Sequence, residues 1–387
     1  LSDFEQNPSL FVLFSSFLRL GITAFGGPAM VAYIRRMAVE QKHWLNEATF
    51  RDGVALCQAI PGATTMQTSA YVGLRSRGVR GAAASFIGFG LPAFLLMMAL
   101  SALYTSTHTL APVVSAFNGL RAIIVAIVAN ATVSFGRGSL KNWRDVVVAA
   151  LAAILFGFRV NPILVILLAA FLGVALRARQ ISPPPTIHST RRSPSARPIL
   201  SLLVATGVGF FLLLLIDRRL FDLAALMSRI DLFAFGGGFA SVPLMFHEVV
   251  EVRNWMDGTR FLDGIVLGQV TPGPIVITAT FVGYLLRGPL GGLIATISVF
   301  LPSFLILVAI VPYFDRLRTS SYFEHALGGS LCSFVGLLLT VTLRFAWNIP
   351  WHFPRILLAS AAFVALLLKA DILWVVGIGT LLSVVLL

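Results

Sequence analysis

The chain has 387 residues, of which 12% are charged, about half the roughly 25% usual in soluble domains. With 57% apolar residues and a mean hydropathy of +0.89, this excludes a soluble globule and makes lipid the main solvent. The net charge of +13 then reads as cytoplasmic loops obeying the positive-inside bias, not as a nucleic-acid surface.

The first residues, LSDFEQNPSL, carry no basic n-region, so no cleavable signal peptide is expected. A helix needs about 20 mainly apolar residues to cross about 30 Å of hydrocarbon. In chain order, spans are expected at 9–34 around Arg19, 53–74, 81–104 and 109–136 around Arg121. A pair of short segments follows at 146–158 and 160–176, each pair of this kind fitting a tilted or half-depth hairpin. Residues 177–198 hold five arginines, five prolines and no acid. That composition forms no packed core and predicts a solvated linker on the cytoplasmic side. Beyond it come expected spans at 198–216, 221–246 around Arg229 and Asp231, 264–286, 288–314 and 326–343. A second short pair closes the chain at 356–368 and 372–387. Cys57 and Cys332 both lie in apolar stretches, which suggests neither a disulfide nor a metal site.

The strongest signal is internal repetition. AFGGPAMVAY near residue 25 returns as AFGGGFASVP 210 residues later. HWLNEATFRDGVALCQAIPG, residues 43–62, returns as NWMDGTRFLDGIVLGQVTPG, residues 254–273. TSAYVGLRSRG faces TATFVGYLLRG, and GLPAF faces FLPSF. The expected organisation is a first repeat over 1–176, the linker over 177–198, and an extra helix plus the second repeat over 199–387. The fold class is an all-α polytopic membrane protein built from two homologous helical repeats.

Gly and Pro interrupt apolar segments at four matched places: Gly26-Gly27-Pro28, Pro61-Gly62, Gly236-Gly237-Gly238 and Pro272-Gly273-Pro274. Duplicated bundles with such breaks point to a secondary transporter whose substrate sits where the repeats meet. In lipid a broken helix survives only where protein or a wet cavity satisfies the freed backbone groups. A break also creates a helix N-terminus, whose free N–H groups hold anions without a buried cation. The expected ligand is therefore an anion, with Gln58, Gln269, Thr64, Thr65 and Thr271 as further donors. Against this stands the plainer reading that Gly and Pro only allow close helix packing.

Charge at membrane depth is costly and usually has a task. Asp52 and Asp263 are repeat-matched and precede the Pro-Gly segments, so they are candidates to carry a coupling proton, or else partners of a helix dipole. Glu40, Glu47 and Asp231 are the remaining carboxylate candidates. Arg35, Arg36 and Arg121 either draw an anion inward or snorkel. Trp44 and Trp255, also matched, read as interfacial anchors. HEVVE at 247–251 lacks the second histidine of the HExxH zinc motif, so no metal site and no catalytic residue are assigned.

The motifs FGGP, QAIPG and QVTPGP, in duplicate halves around a hydrophilic linker, resemble the chromate transporter family in its long, two-domain bacterial form. The resemblance implies an inner-membrane protein that exports chromate, confers chromate resistance and is coupled to the proton motive force. It implies sulfate as a close analogue and halves of opposite membrane orientation; separately, the residues show no cofactor motif and no aromatic-basic nucleic-acid stripe, so neither a cofactor nor a nucleic-acid partner is expected, and a homodimer stays open. One departure is Gly238, where the first copy has Pro28. The inverted arrangement requires 13 spans, whereas re-entrant Pro-Gly segments give 11 and parallel repeats; the loop Lys and Arg tally sits better with 11. Thirteen is the preferred reading. Rival functions are a sulfate or other oxyanion permease, a membrane enzyme using Asp52 and Asp263 as an acid–base pair, and a gated anion channel.

Overall fold

The computed structural model describes residues 8–25, 29–177, 197–311 and 320–386, and their regular structure is helical throughout. Gly26, Gly27, Pro28 and nearly all of the basic linker lie outside the described residues. The first copy runs α1 (Leu10–Thr23), α2 (Ala29–Arg35), α3 (Glu47–Ala59), α4 (Thr64–Thr107), α5 (Ala111–Ser139), α6 (Trp143–Gly157) and α7 (Pro162–Ala175). After α8 (Arg197–Ile216), the second runs α9 (Arg218–Phe233), α10 (Gly238–Phe246), α11 (Gly258–Val270), α12 (Thr278–Ile310), α13 (Ser321–Trp347), α14 (Phe353–Leu367) and α15 (Ile372–Leu386). Five of the described helices are long and apolar enough to cross a membrane, and four more are apolar but shorter.

The repetition reaches the backbone. Asn46 caps α3 by accepting the Thr49 N–H at 2.8 Å, and its counterpart Asp257 caps α11 by accepting the Arg260 N–H at 2.8 Å. Left-handed φ angles recur in pairs: His43 at 52° with Asn254 at 50°, Gly62 at 113° with Gly273 at 110°, and Arg159 at 59° with Lys369 at 67°. A six-residue π-helix follows α2 at Arg36–Gln41 and α10 at His247–Val252.

α4 and α12 are each doubled back at an Arg-Gly step. Gly78 (φ 64°) and Gly288 (φ 61°) take a backbone conformation that L side chains rarely adopt, which separates limbs 64–76 and 79–107, and 278–286 and 289–310. The limbs touch through glycine. A Cβ on Gly73 would stand 2.2 Å from the Gly81 carbonyl oxygen, and one on Gly283 would stand 2.2 Å from that of Gly291. Ser85 Oγ donates to the Ser69 carbonyl at 2.8 Å, and Thr280 and Thr296 share a hydrogen bond of 2.6 Å. Small residues and hydroxyls are what hold helices together where lipid offers no hydrophobic driving force.

The chain packs as two compact units, and both copies contribute to each. The first unit takes Leu1–Ser106, Ser193–Met245 and Leu267–Pro312. In it α12 packs on α9, around a core that includes Phe17, Phe89, Phe281, Met66 and Met97. The second takes Thr107–Arg192, Phe246–Val266 and Tyr313–Leu387. There α13 packs against α5, α6 and α7, with Gly329 and Gly336 meeting the Ala169 and Ala149 carbonyls. Thr132 and its own counterpart Thr342 bond to each other at 3.3 Å, so a local two-fold passes between α5 and α13. The packing thus cuts across the sequence division at the linker.

The expected spans 53–74 and 264–286 are not single helices. The first is α3, a break at residues 60–63 and the first limb of α4. The second is α11, a break at 271–274, a 3-10 turn at Ile275–Ile277 and the first limb of α12. Proline and positive-φ glycine in succession end one helix and start the next.

Candidate functional site

The described breaks all fall in the first unit, and they are joined crosswise. The Gly62 N–H donates to the Ala234 carbonyl at 3.0 Å, and the Gly273 N–H donates to the Ala24 carbonyl at 3.2 Å. Ala24 and Ala234 are themselves equivalent, each lying just before a glycine pair. Each Pro-Gly break is therefore completed by the other copy.

Further contacts tighten the junction. A Cβ on Gly237 would stand 3.3 Å from Thr64 Oγ1, and one on Gly238 would stand 3.3 Å from the Ile275 and Val276 side chains. Gly236-Gly237-Gly238 therefore lies beside both Pro-Gly breaks. At Gly62 a Cβ would fall 2.3 Å from Ser303 Cβ, and at Gly273 one would fall 2.9 Å from Ala93 Cβ, where Ala93 and Ser303 are again equivalent. Helix N-termini follow both breaks, at Thr64 and Ile275.

The polar side chains at the junction are not symmetric. Gln269 is half-buried, and its Nε2 is a buried donor that has no acceptor among the described residues. Gln58, its counterpart, is exposed. Thr271 is buried and donates to the Gly268 carbonyl at 2.9 Å; Thr64 is half-buried and Thr65 buried. Gln67, fully buried, donates from Nε2 to the Pro61 carbonyl at 2.5 Å, while its Oε1 finds no donor among the described residues. The sequence reading missed Gln67. It has no equivalent in the second copy, where Ile277 holds the place, so repetition could not flag it.

The ionisable candidates are spread over both units. Arg35 binds Glu40 at 2.6 Å and Glu47 at 2.8 Å, and the guanidinium holds the Glu47 carboxyl below its ordinary range. Arg36 is exposed and Asp52 half-buried. In the second unit Arg121 grips Asp263 with two bonds, Nε to Oδ1 at 2.7 Å and Nη2 to Oδ2 at 2.8 Å, so two expected functional residues form one bidentate pair. Arg121 also donates to Asn118 Oδ1 at 3.1 Å. The position equivalent to Arg121 is Leu331, so the second copy has no such arginine.

Glu251, the counterpart of Glu40, lies on a π-helical turn with His247 Nδ1 at 2.9 Å and Arg344 bonded to the same oxygen. The HEVVE segment thus enters an ion network. Trp44 is 4% exposed and packs on Phe17 at 6.4 Å, which makes it a core residue and not an interfacial anchor; Trp255 is half-buried with Arg253 stacked 5.0 Å from its ring.

Helices long enough to span, a duplicated chain and crosswise-joined breaks define a multi-pass membrane protein of the repeat-built transporter class. The chain belongs to the chromate transporter family: the model of that family, described as chromate transporter, matches residues 11–174 and again 221–384. It is 43% identical to an uncharacterised transporter of Methanocaldococcus jannaschii, over 98% of this chain and 95% of that protein. It is 30% identical to a chromate transport protein of Cupriavidus metallidurans, over 91% of this chain and 86% of that one, and 29% identical to a chromate transport protein of Pseudomonas aeruginosa, over 91% and 85%. No solved structure matches.

Proposed function

We propose that this chain exports chromate from the cell, with the oxyanion held by the helix ends at Gly26-Gly27-Pro28, Pro61-Gly62, Gly236-Gly237-Gly238 and Pro272-Gly273-Pro274, and so confers chromate resistance from the inner membrane. The observation that carries this reading is Gln269 Nε2, a buried donor with no acceptor among the described residues, beside the Pro272 break. Native proteins seldom bury an unused donor, and an oxyanion or a water is what would answer it. Thr64 and the first-turn amides after each break supply further donors, Gln58 completes the set from its exposed position, and Thr271 would join only by releasing the Gly268 carbonyl. Family membership and the names of relatives near 30% identity support chromate as the ion.

Membrane potential favours the outward direction. One charge crossing 100 mV is worth about 2.3 kcal/mol, so a dianion leaving an inside-negative cell gains about 4.6 kcal/mol per 100 mV. Proton antiport is the second driving force in this proposal, with Asp52 and Asp263 as the matched carboxylates. A proton reaches Asp263 only by displacing Arg121, which makes that pair the switchable element, and Arg35 and Arg36 attract the anion from the surface. The basic linker stays cytoplasmic, and the two repeats are inverted.

The test is chromate flux in proteoliposomes with potential and pH gradient imposed separately. Flux driven by potential alone, inhibited by excess chromate more strongly than by sulfate, is expected. Sulfate flux at equal or greater rate assigns the site to sulfate instead. Turnover without net transport returns the reading to a membrane enzyme.

A further inference from the structure

Of the two carboxylates on helix α9, Asp222 and Asp231, the second is buried near a break, and the symmetric reading of the breaks does not use it. It is 1% exposed, and its Oδ2 accepts the Ser303 backbone N–H at 2.7 Å. Ser303 is the residue whose Cβ occupies the space beside Gly62, and Ala234, three residues after Asp231, gives its carbonyl to the Gly62 N–H. The carboxylate therefore stands one side-chain layer behind the Pro61-Gly62 break.

Among the described residues, its surroundings supply no cation. The elements packed most closely against α9 are α12 and α8. On α12 the titratable residues are Tyr284 and Arg287, and Arg287 is bound at 2.8 Å to Asp217, at the far end of α9. Fourteen residues of helix, about 21 Å, separate Asp217 from Asp231. The described side chains of α8 include no titratable group. On α9 itself Arg229 is two residues away and so faces another side, while Arg218, Arg219 and Asp222 lie two turns or more towards Asp217. Glu40, Glu47 and Asp263 all sit against arginine; among the described residues no basic side chain pairs with Asp231. The first copy has Gly21 at this position, so the feature is single.

We infer that Asp231 makes the anion site proton-dependent: an oxyanion dianion enters the break only when one proton has neutralised this carboxylate. The inference rests on reading the breaks as an anion site. A bare carboxylate one layer from the site repels a dianion through a medium that screens poorly. A proton added at Oδ1 removes that charge and leaves Oδ2 to accept from Ser303. Proton and anion then bind together, and by linkage each raises the affinity for the other by the same factor. The coupling concerns binding, whichever gradient drives transport.

Asp231→Asn tests this cleanly, because its amide oxygen still accepts from Ser303 but carries no charge. Chromate binding to the purified full-length protein, measured above the pH at which chromate itself protonates, is expected to weaken about tenfold per pH unit in the wild type where Asp231 loses its proton. Asp231→Asn is expected to bind at the low-pH affinity throughout, and Asp231→Glu to restore the slope. Ser228→Ala, which loosens the same helix joint without removing a titrating group, is expected to keep the wild-type slope. A wild-type slope in Asp231→Asn overturns the inference. If no variant binds chromate at all, the oxyanion reading of the breaks fails separately. In that case pH-difference infrared spectra of the anion-free protein still decide whether Asp231 titrates. Loss of a titrating carboxylic-acid band in Asp231→Asn supports it, and an unchanged spectrum overturns it.

Discussion

The same proline joint occurs twice in the first unit and is built in two ways. In α4, Pro92 interrupts the helix where α1 crosses it, and the crossing is made by glycine. A Cβ on Gly21 would stand 2.4 Å from the Phe89 carbonyl oxygen, and one on Gly88 would stand 2.6 Å from that of Phe14. In α12, Pro302 leaves the Ser298 carbonyl without its helical donor, and α9 supplies one: Ser228 Oγ donates to it at 3.0 Å. One turn on, Asp231 accepts the Ser303 N–H. Gly21 and Asp231 are equivalent positions, as are Gly88 and Ser298. One copy brings two backbones into contact, and the other inserts side chains between them. Duplication preserved the break but not its chemistry, so of the two joints only the second holds an ionisable side chain.

The contrast can be broken or sharpened by substitution. The largest effect is expected at the breaks. Gly62→Leu should abolish flux in proteoliposomes at equal membrane abundance, since the side chain needs both φ near 113° and the space of Ser303. Gly273→Leu should do the same but, at the milder contact with Ala93, Gly273→Ala should retain more flux than Gly62→Ala. Equal loss in the two alanine variants would remove the asymmetry.

Next comes the ion pair that joins the copies, which has no symmetric counterpart because Leu331 stands where Arg121 would. Arg121→Gln removes the bidentate partner of the buried Asp263 carboxylate, an effect of about 3 to 5 kcal/mol, seen as loss of folded protein on denaturant titration in detergent. Asp52→Asn should cost far less by the same assay. At the glycine joint, Gly21→Ala should cost about 1 to 3 kcal/mol through overpacking against the Phe89 backbone. Ser228→Ala, at the other joint, removes one bond to a freed carbonyl and should cost about 1 kcal/mol. Reversal of that order would show that side chains, not backbone approach, carry the crossing.

The smallest effect concerns acid. Asp217 joins α8 to α9; desolvation pushes its carboxyl up, but the Arg219 and Leu220 amides and Arg287 outweigh this and leave it below the ordinary range. A carboxyl depressed on folding stabilises above its unfolded pKa of about 3.9, and that contribution fades as pH falls through the lower folded value. Acid should therefore loosen the start of α9 slightly in wild type and not in Asp217→Asn, as read by amide hydrogen exchange.

Much of this was legible in the sequence, because lipid makes apolar length and glycine placement informative. The repeat, the described breaks at Pro61, Gly236 and Pro272, and most helix limits follow from composition and self-similarity alone. What was not legible depends on pairing at long range. Arg121 meets Asp263 across 142 residues, and neither periodicity nor repetition marks them as partners. The π-helices escaped notice because an i+5 bond leaves no distinct pattern of apolar residues over six positions. Asp231 stood out as a charge in a span, but only the position of Ser303 relates it to Gly62.

The crosswise bonds of Gly62 to Ala234 and Gly273 to Ala24 also set an order of assembly. Their partners lie roughly 170 and 250 residues apart in sequence, so each closes a loop far longer than any helical contact. While the chain is being inserted, the Pro61-Gly62 turn is made long before Ala234 leaves the ribosome. Until then its amide has no protein acceptor and must find water or a chaperone. The Pro61-Gly62 break therefore matures only once the second copy has begun to emerge, and a chain halted within the linker should carry first-copy helices around an unfinished turn.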